Sequence, residues 1–306
     1  MEAAKRGGSR FPMTTRLTAA EKPLPVVLER APDELLSSWL RRHAAFYGLT
    51  EPMFVSWLRL GTKNLRSLDN RLSLGAITRI VEKFRCDPKV IVEMTHASLP
   101  AEVAPLVRAG KPNQFSRPCW ERHLAANATG VVPKSWHEGW RITCPVCGSP
   151  LYERERPRSG AETVRDTSPF LKDWDAAREG EDIVNRRLNG QPTPFESPVA
   201  MMRLLLILSW RRAEVSSQLY RKSWLLNELM PGFDTEALRI KPSISKGATA
   251  HVPLHIRIAL LAGLAAAAKD TIGTVRYLRP ACRPFYLRRF DELAAAALGD
   301  SADFSI

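Results

Sequence analysis

No stretch of the 306-residue sequence is apolar for long enough to span a bilayer. The longest apolar runs, 204–210 and 258–268, fall well short of the roughly 18 residues that a spanning helix needs. Residues 1–22 are basic and polar and lack the apolar centre of a secretory leader, so the expectation is a cytoplasmic protein with no membrane partner. Cysteine is scarce. Five residues, an odd number with a single C-x-x-C, do not make a disulfide scaffold and favour a reducing compartment and a metal. Also missing are a G-x-S-x-G elbow, an H-E-x-x-H helix, a Walker lysine and a glycine-rich dinucleotide turn. Nor are carboxylates spaced for two-metal phosphodiester chemistry, since their densest group lies in one polar segment, 151–200. These absences point to a binding protein rather than an enzyme.

What the chain has in excess is positive charge. Lys and Arg outnumber Asp and Glu by 45 to 32, a formal net charge of +13, which calls for a polyanionic partner, with nucleic acid ahead of an anionic membrane. Every part of the chain shares the excess except 151–200, as suits a protein that follows a long phosphate backbone.

Periodicity predicts a mainly α protein. Residues 1–22 read as a disordered basic tail, and 23–112 as an N-terminal helical region. Within the latter a helix is expected from Pro32, with Asp33 and Glu34 in its first turn, to about Gly48. A second helix spans 52–60, a polar connection 64–70, and an apolar stripe 74–84. Asp87 is placed to cap a further helix starting at Pro88. These last two helices have the form of a helix-turn-helix, with Arg79, Lys83, Arg85 and Lys89 as candidate phosphate contacts; a plain helical hairpin in a small core suits the pattern equally well.

Residues 113–155 hold the metal candidates. Cys144-Pro-Val-Cys147-Gly has the spacing of a zinc knuckle, two thiolates at i and i+3 with a glycine that lets the backbone turn. Cys119 and His123, one helical turn apart, supply a second pair; His137, between Trp136 and Trp140, is the rival fourth ligand. Four protein ligands would leave no open position, so the expected cofactor is one structural zinc ion.

Residues 156–190 read as a polar linker or solvated helix, and 191–306 as a helical C-terminal domain. There an apolar helix is expected from Ser197 through Trp210, another over 215–230, and an alanine-rich one over 253–269. Lys246 sits in a small basic loop suited to phosphate. Arg283, Arg288 and Arg289 lie among Tyr277, Phe285, Tyr286 and Phe290, an interleaving that suits nucleic acid.

Three features resemble the TniQ family of transposition accessory and target-selection proteins, related to the TnsD-type selectors. Leu24-Pro25 followed by Pro32-Asp-Glu-Leu-Leu-Ser-Ser-Trp-Leu40 is similar to the family's proline-containing lead-in and its E-x-L-x-S-W-L helix. Met94-Thr95 resembles the "M-T" helix that closes the N-terminal region. Arg117-Pro-Cys119 to His123-Leu-Ala125, with Cys144-Pro-Val-Cys147-Gly-Ser-Pro-Leu151, resembles the paired knuckles. The family usually reads C-P-x-C-L and then C-x-x-H-G-x-P-L. Here His123 stands one residue late for the second cysteine, and Cys147 stands where histidine is expected. No second pair of knuckles follows, and Cys282 is isolated.

Over about residues 23–155, the resemblance implies a non-catalytic adaptor in DNA transposition. Its partners would be DNA or a DNA-bound targeting complex, the transposon's ATPase regulator and the transposase, and it allows a homodimer. The alternatives are a zinc-containing transcriptional regulator and, from the enzyme class, a nuclease or recombinase built from carboxylates distant in sequence.

Overall fold

A computed structural model describes residues 22–299 apart from 109, 111, 113, 127–129, 156–162, 165–171, 213–219 and 235–251. Helices dominate, with two small antiparallel sheets. Among the described residues no single helix is long and apolar enough to cross a membrane.

The first core gathers α1 (Leu36–Phe46), α2 (Glu51–Leu58), α3 (Arg66–Asn70), α4 (Leu74–Phe84) and α5 (Pro88–Glu93). Their apolar stripes meet at Leu36, Leu40, Phe54, Leu58 and Ile80, each at most 1% exposed. Full burial of such a side chain contributes about 1.5–3 kcal/mol. Trp39 and Phe84 rings lie 4.6 Å apart. Ser73 caps α4 by accepting from the Ala76 amide, and Asp87 caps α5 by accepting from the Lys89 amide.

α1 starts later than its sequence suggests. Asp33 takes φ 58°, the left-handed region that aspartate tolerates better than most residues, and this turn delays the helix to Leu36. The two acids expected in the first helical turn hold the entry loop instead. Glu34 accepts from the Ala31 amide at 3.0 Å and pairs with Arg42 at 2.6 Å, while Asp33 accepts from the Ser135 amide at 3.0 Å.

The larger core joins the 114–155 module to the C-terminal helices. β1 (Gln114–Phe115) pairs with β2 (Tyr152–Glu155), which pairs with β3 (Thr163–Val164), and α6 (Arg117–Ala125) follows β1. Beyond it come α7 (Trp174–Leu188), α8 (Pro198–Leu205), β4 (Leu208–Arg212), β5 (Tyr220–Trp224), α9 (Leu226–Leu229), α10 (Leu254–Lys269), α11 (Thr271–Leu278) and α12 (Leu287–Leu298). At the centre lies α10, buried at every residue from Leu254 to Ala265. Hydrophobicity all round is what an enclosed helix requires.

Two expectations are corrected here. The segment read as linker or solvated helix contains α7, which buries Ala177, Gly180, Ile183 and Val184 along α10. A Cβ on Gly180 would sit 2.0 Å from the Leu261 carbonyl oxygen, so glycine is what lets the two backbones approach. The helix expected from Ser197 through Trp210 ends at Leu205. Leu208 to Arg212 then pairs as a strand with Tyr220 to Trp224, where part of a helix was expected over 215–230. A continuous apolar run fits either period, and pairing decides between them.

Hydrogen bonds stitch the two cores together. The Leu35 amide donates to the Val132 carbonyl at 3.0 Å and the Lys134 amide to the Asp33 carbonyl at 2.6 Å. Ser38 Oγ donates to the Gly130 carbonyl and accepts from the Val132 amide.

Candidate metal centre

Two local structures bring three sulfurs together. In the first, Ser116 caps α6 by accepting from the Cys119 amide at 3.4 Å, and Pro118 lies in the opening turn, so Cys119 sits at the start of the helix. In the second, the Cys144 amide donates to the Ser149 carbonyl at 2.9 Å and the Gly148 amide to the Cys144 carbonyl at 2.8 Å. Gly148 takes φ +71°, which closes the turn and brings Cys144 and Cys147 to one side.

The sulfurs of Cys119, Cys144 and Cys147 all lie within 4.8 Å of one another, those of Cys119 and Cys144 at 3.6 Å. With metal–sulfur bonds of about 2.3 Å, the edge of a tetrahedral site measures about 3.8 Å. Three free thiols at this spacing fit the ligand set of a metal ion. Among the described residues, no other group of histidine, cysteine and acidic side chains has this geometry.

Electrostatics distinguishes the thiols. Burial, with Cys147 and Cys144 beside it, pushes Cys119 up to about 12. Burial also raises Cys147, but hydrogen bonds from Ser116 and Ser149 outweigh it and bring that thiol down to about 6; Ser116 Oγ lies 3.2 Å from its sulfur. One thiolate is therefore favoured, and further negative charge at this spacing needs a cation beside it.

The histidines fall differently. His123 lies one turn beyond Cys119 on α6, and its Nδ1 is buried with no hydrogen-bond partner. It lines a cleft of about 290 Å³ together with Cys119, Cys144 and Arg42. Burial lowers its pKa, favouring the neutral ring a metal requires. Neither imidazole belongs to the tight sulfur group. His137 instead donates from Nδ1 to the Arg108 carbonyl at 3.1 Å, and burial first, with His96 and Arg108 nearby, lowers it to about 4.

The candidate phosphate contacts are scattered. Arg79, Arg85 and Lys89 are exposed, although Arg79 donates to the Arg59 carbonyl. Lys83 is buried: its ammonium donates to the Lys22 carbonyl at 3.1 Å and lies 5.2 Å from the centre of the Trp57 ring, because its stem follows the apolar face of α4. Arg283 is half-buried and donates to the Ser209 carbonyl at 3.0 Å. Arg288 is exposed and pairs with Glu292, and Arg289 is half-buried. Lys246 lies outside the described residues.

Sequence reasoning missed two parts of the surroundings. Ser116 is one, although a serine three residues before Cys119 is a local cap signal. The other is a buried lattice of charge around the module. Arg257, 0% exposed, donates to Gln114 Oε1 at 2.7 Å, the Arg141 carbonyl at 2.6 Å and the Val252 carbonyl at 3.0 Å. Burial, and then Arg108, lowers its pKa to about 9. Arg108 lies 3.6 Å from Glu153, whose other oxygen accepts from the Leu254 amide. Arg141 pairs with Glu138 and lies 3.6 Å from Glu181. Burial pushes Glu138 up, but His96 and Arg141 outweigh it and hold it at about 2. No periodic signal links residues so far apart in the chain.

Comparison of the chain with protein-family models, curated proteins and solved structures finds no match in any of the three.

Proposed function

We propose that this chain is a non-catalytic, DNA-associated adaptor in which one structural zinc ion, held by Cys119, Cys144, Cys147 and His123, fixes the module that joins two helical regions. The convergence of three thiols at 4.8 Å or less carries the proposal, and the unpartnered His123 Nδ1 one turn from Cys119 supplies the fourth donor. Four protein ligands give cross-linking and no open position for water, so the ion serves the fold rather than a reaction. The surrounding chain supports an orienting role. Residues 130–135 bond to the entry of α1, and Gln114 and Arg141 bond to Arg257 of α10, so the module touches both sides.

The net charge of +13 supports a nucleic-acid partner. In this proposal α4 and α5 form the helix-turn-helix. Its resemblance to the TniQ family supplies the process, a bridge from target DNA or a targeting complex to the transposon ATPase regulator and transposase. Metal analysis and pull-down test the two halves. The purified protein should hold one zinc per chain, and Cys144→Ser should lose it and melt well below the wild type, because metal binding contributes folding free energy. Unchanged metal content and melting temperature in that variant would refute the centre. Capture of a transposon ATPase regulator, strengthened by DNA, is the expected adaptor behaviour; magnesium-dependent DNA cleavage by the chain alone would sink it.

A further inference from the structure

We infer that the corner between α11 and α12 is a stacking platform for unpaired nucleic-acid bases. This rests on the DNA-associated role above and narrows it to a strand form. Phe285 is 89% exposed, the most exposed large apolar side chain among the described residues. Single apolar side chains are common on protein surfaces, and what distinguishes this one is the built turn that holds it out. Pro284 opens the 3-10 turn that presents it, and Tyr286 braces it edge-on with centroids 5.2 Å apart. The turn itself is anchored on both sides. Cys282 bridges to Ser209 of β4, the Arg283 guanidinium donates to the Ser209 carbonyl, and Phe290 is fully buried one turn into α12.

Charge around the ring selects the occupant. Residues 276–292 contain five arginines and two acids. Both acids are engaged: Asp291 accepts from Arg279 at 2.9 and 3.2 Å, and Glu292 accepts from Arg288 at 3.0 Å. Arg276 is exposed in the last turn of α11 beside Tyr277, itself 58% exposed. An aromatic face flanked by guanidinium groups suits a ligand that alternates π faces with negative charge, which is a single strand. Duplex DNA hides its base faces within the stack, so a protruding ring gains little there beyond contact with the backbone. An apolar protein surface would offer nothing to the exposed Arg276 or to the net positive charge of this segment.

Fluorescence anisotropy of the full chain, at one fixed salt concentration, tests this with a labelled oligothymidylate of about twenty residues and a duplex of the same length. Phe285→Ala should weaken the single strand about tenfold and the duplex less than about twofold, from the usual size of a base–aromatic stack. Phe285→Leu should behave like alanine, since it keeps the hydrocarbon and loses the π face, and Phe285→Trp should keep wild-type affinity. Because the side chain is exposed, none of these variants should change the melting temperature. Equal loss on both strand forms, no loss on either, or rescue by leucine would overturn the platform and leave the DNA-associated role standing. A wild-type protein that binds neither form would overturn that role as well.

Discussion

Around Ile80 the N-terminal core closes on Trp39, Phe54 and Phe84, with one buried imidazole, His43, whose two nitrogens bond to the backbone of Leu28 and Trp39 nearby in the chain, and with α4 and α5 capped by their own neighbours, Ser73 and Asp87. Around Arg257 the larger core admits guanidinium and carboxylate groups whose partners come from 114, 141, 153 and 252. The first arrangement tolerates exchange among side chains of similar volume. The second does not, because each buried charge needs particular donors or acceptors in place, and a partly satisfied network is worse than hydrocarbon. Charge thus sits where the module meets α10, the place where relative position matters most. In the N-terminal core the buried polar groups, such as His43, are fewer among the described residues and bond mainly to nearby backbone.

The largest effect that could break this contrast is expected at Arg257. Arg257→Ala leaves Gln114 Oε1 and the Arg141 carbonyl without this donor, while the Val252 carbonyl keeps Arg108, and it opens a cavity, so urea unfolding should show a loss of about 3–5 kcal/mol. A loss below about 1 kcal/mol would mean that the lattice is incidental and the two cores are alike.

Acid should reveal the same difference more gently. His137 is favoured neutral in the fold, with its pKa lowered from 6.5 to about 4. Its contribution is therefore complete above pH 6.5 and is lost as pH falls towards 4. Glu138 is lowered from 4.5 to about 2, so its contribution is complete above 4.5 and is lost as pH falls through 2. Between pH 6.5 and 4.5 the decline specific to this pair belongs to His137. Replacing it by glutamine, which can still donate to the Arg108 carbonyl, should flatten the curve of melting temperature against pH in that window relative to wild type. Parallel curves would exclude the mechanism.

Smallest of all is the change expected at the surface. Arg288 has a side chain 93% exposed and pairs with Glu292 one turn on. Arg288→Ala should alter stability by less than about 0.5 kcal/mol in the same urea measurement, sharpening the contrast with the identical substitution at 257.

How far the sequence reveals such features depends on the range over which they are encoded. The Cys144 to Gly148 turn is legible because its sulfurs, its glycine and its closing hydrogen bonds lie within a few residues. Cys119 joins them through a helix cap and a sheet, so its place could be guessed only from spacing. α10 is legible as an alanine- and leucine-rich helix, but its place at the centre is not, and Arg257 within it reads as an ordinary charge until its partners are seen. α7 is hidden for a different reason. Its contact face uses Ala177 and Gly180, which add little hydrophobic signal to a charge-dense segment, so close packing looks like solvation. Lys83 misleads in the opposite direction, since a cation on the edge of an apolar stripe can point inwards along its own stem.

The joint at the entry to α1 has a consequence in time as well as in space. Asp33, Leu35 and Ser38 find their partners at residues 130–135, roughly a hundred positions later. During synthesis the helices from Leu36 to Glu93 emerge well before the segment that secures their first turn. Contacts of such long sequence separation form late, because a large loop must close before any of them is rewarded. The N-terminal region should therefore wait, collapsed but with an unfastened entry, until the knuckle segment arrives to lock it.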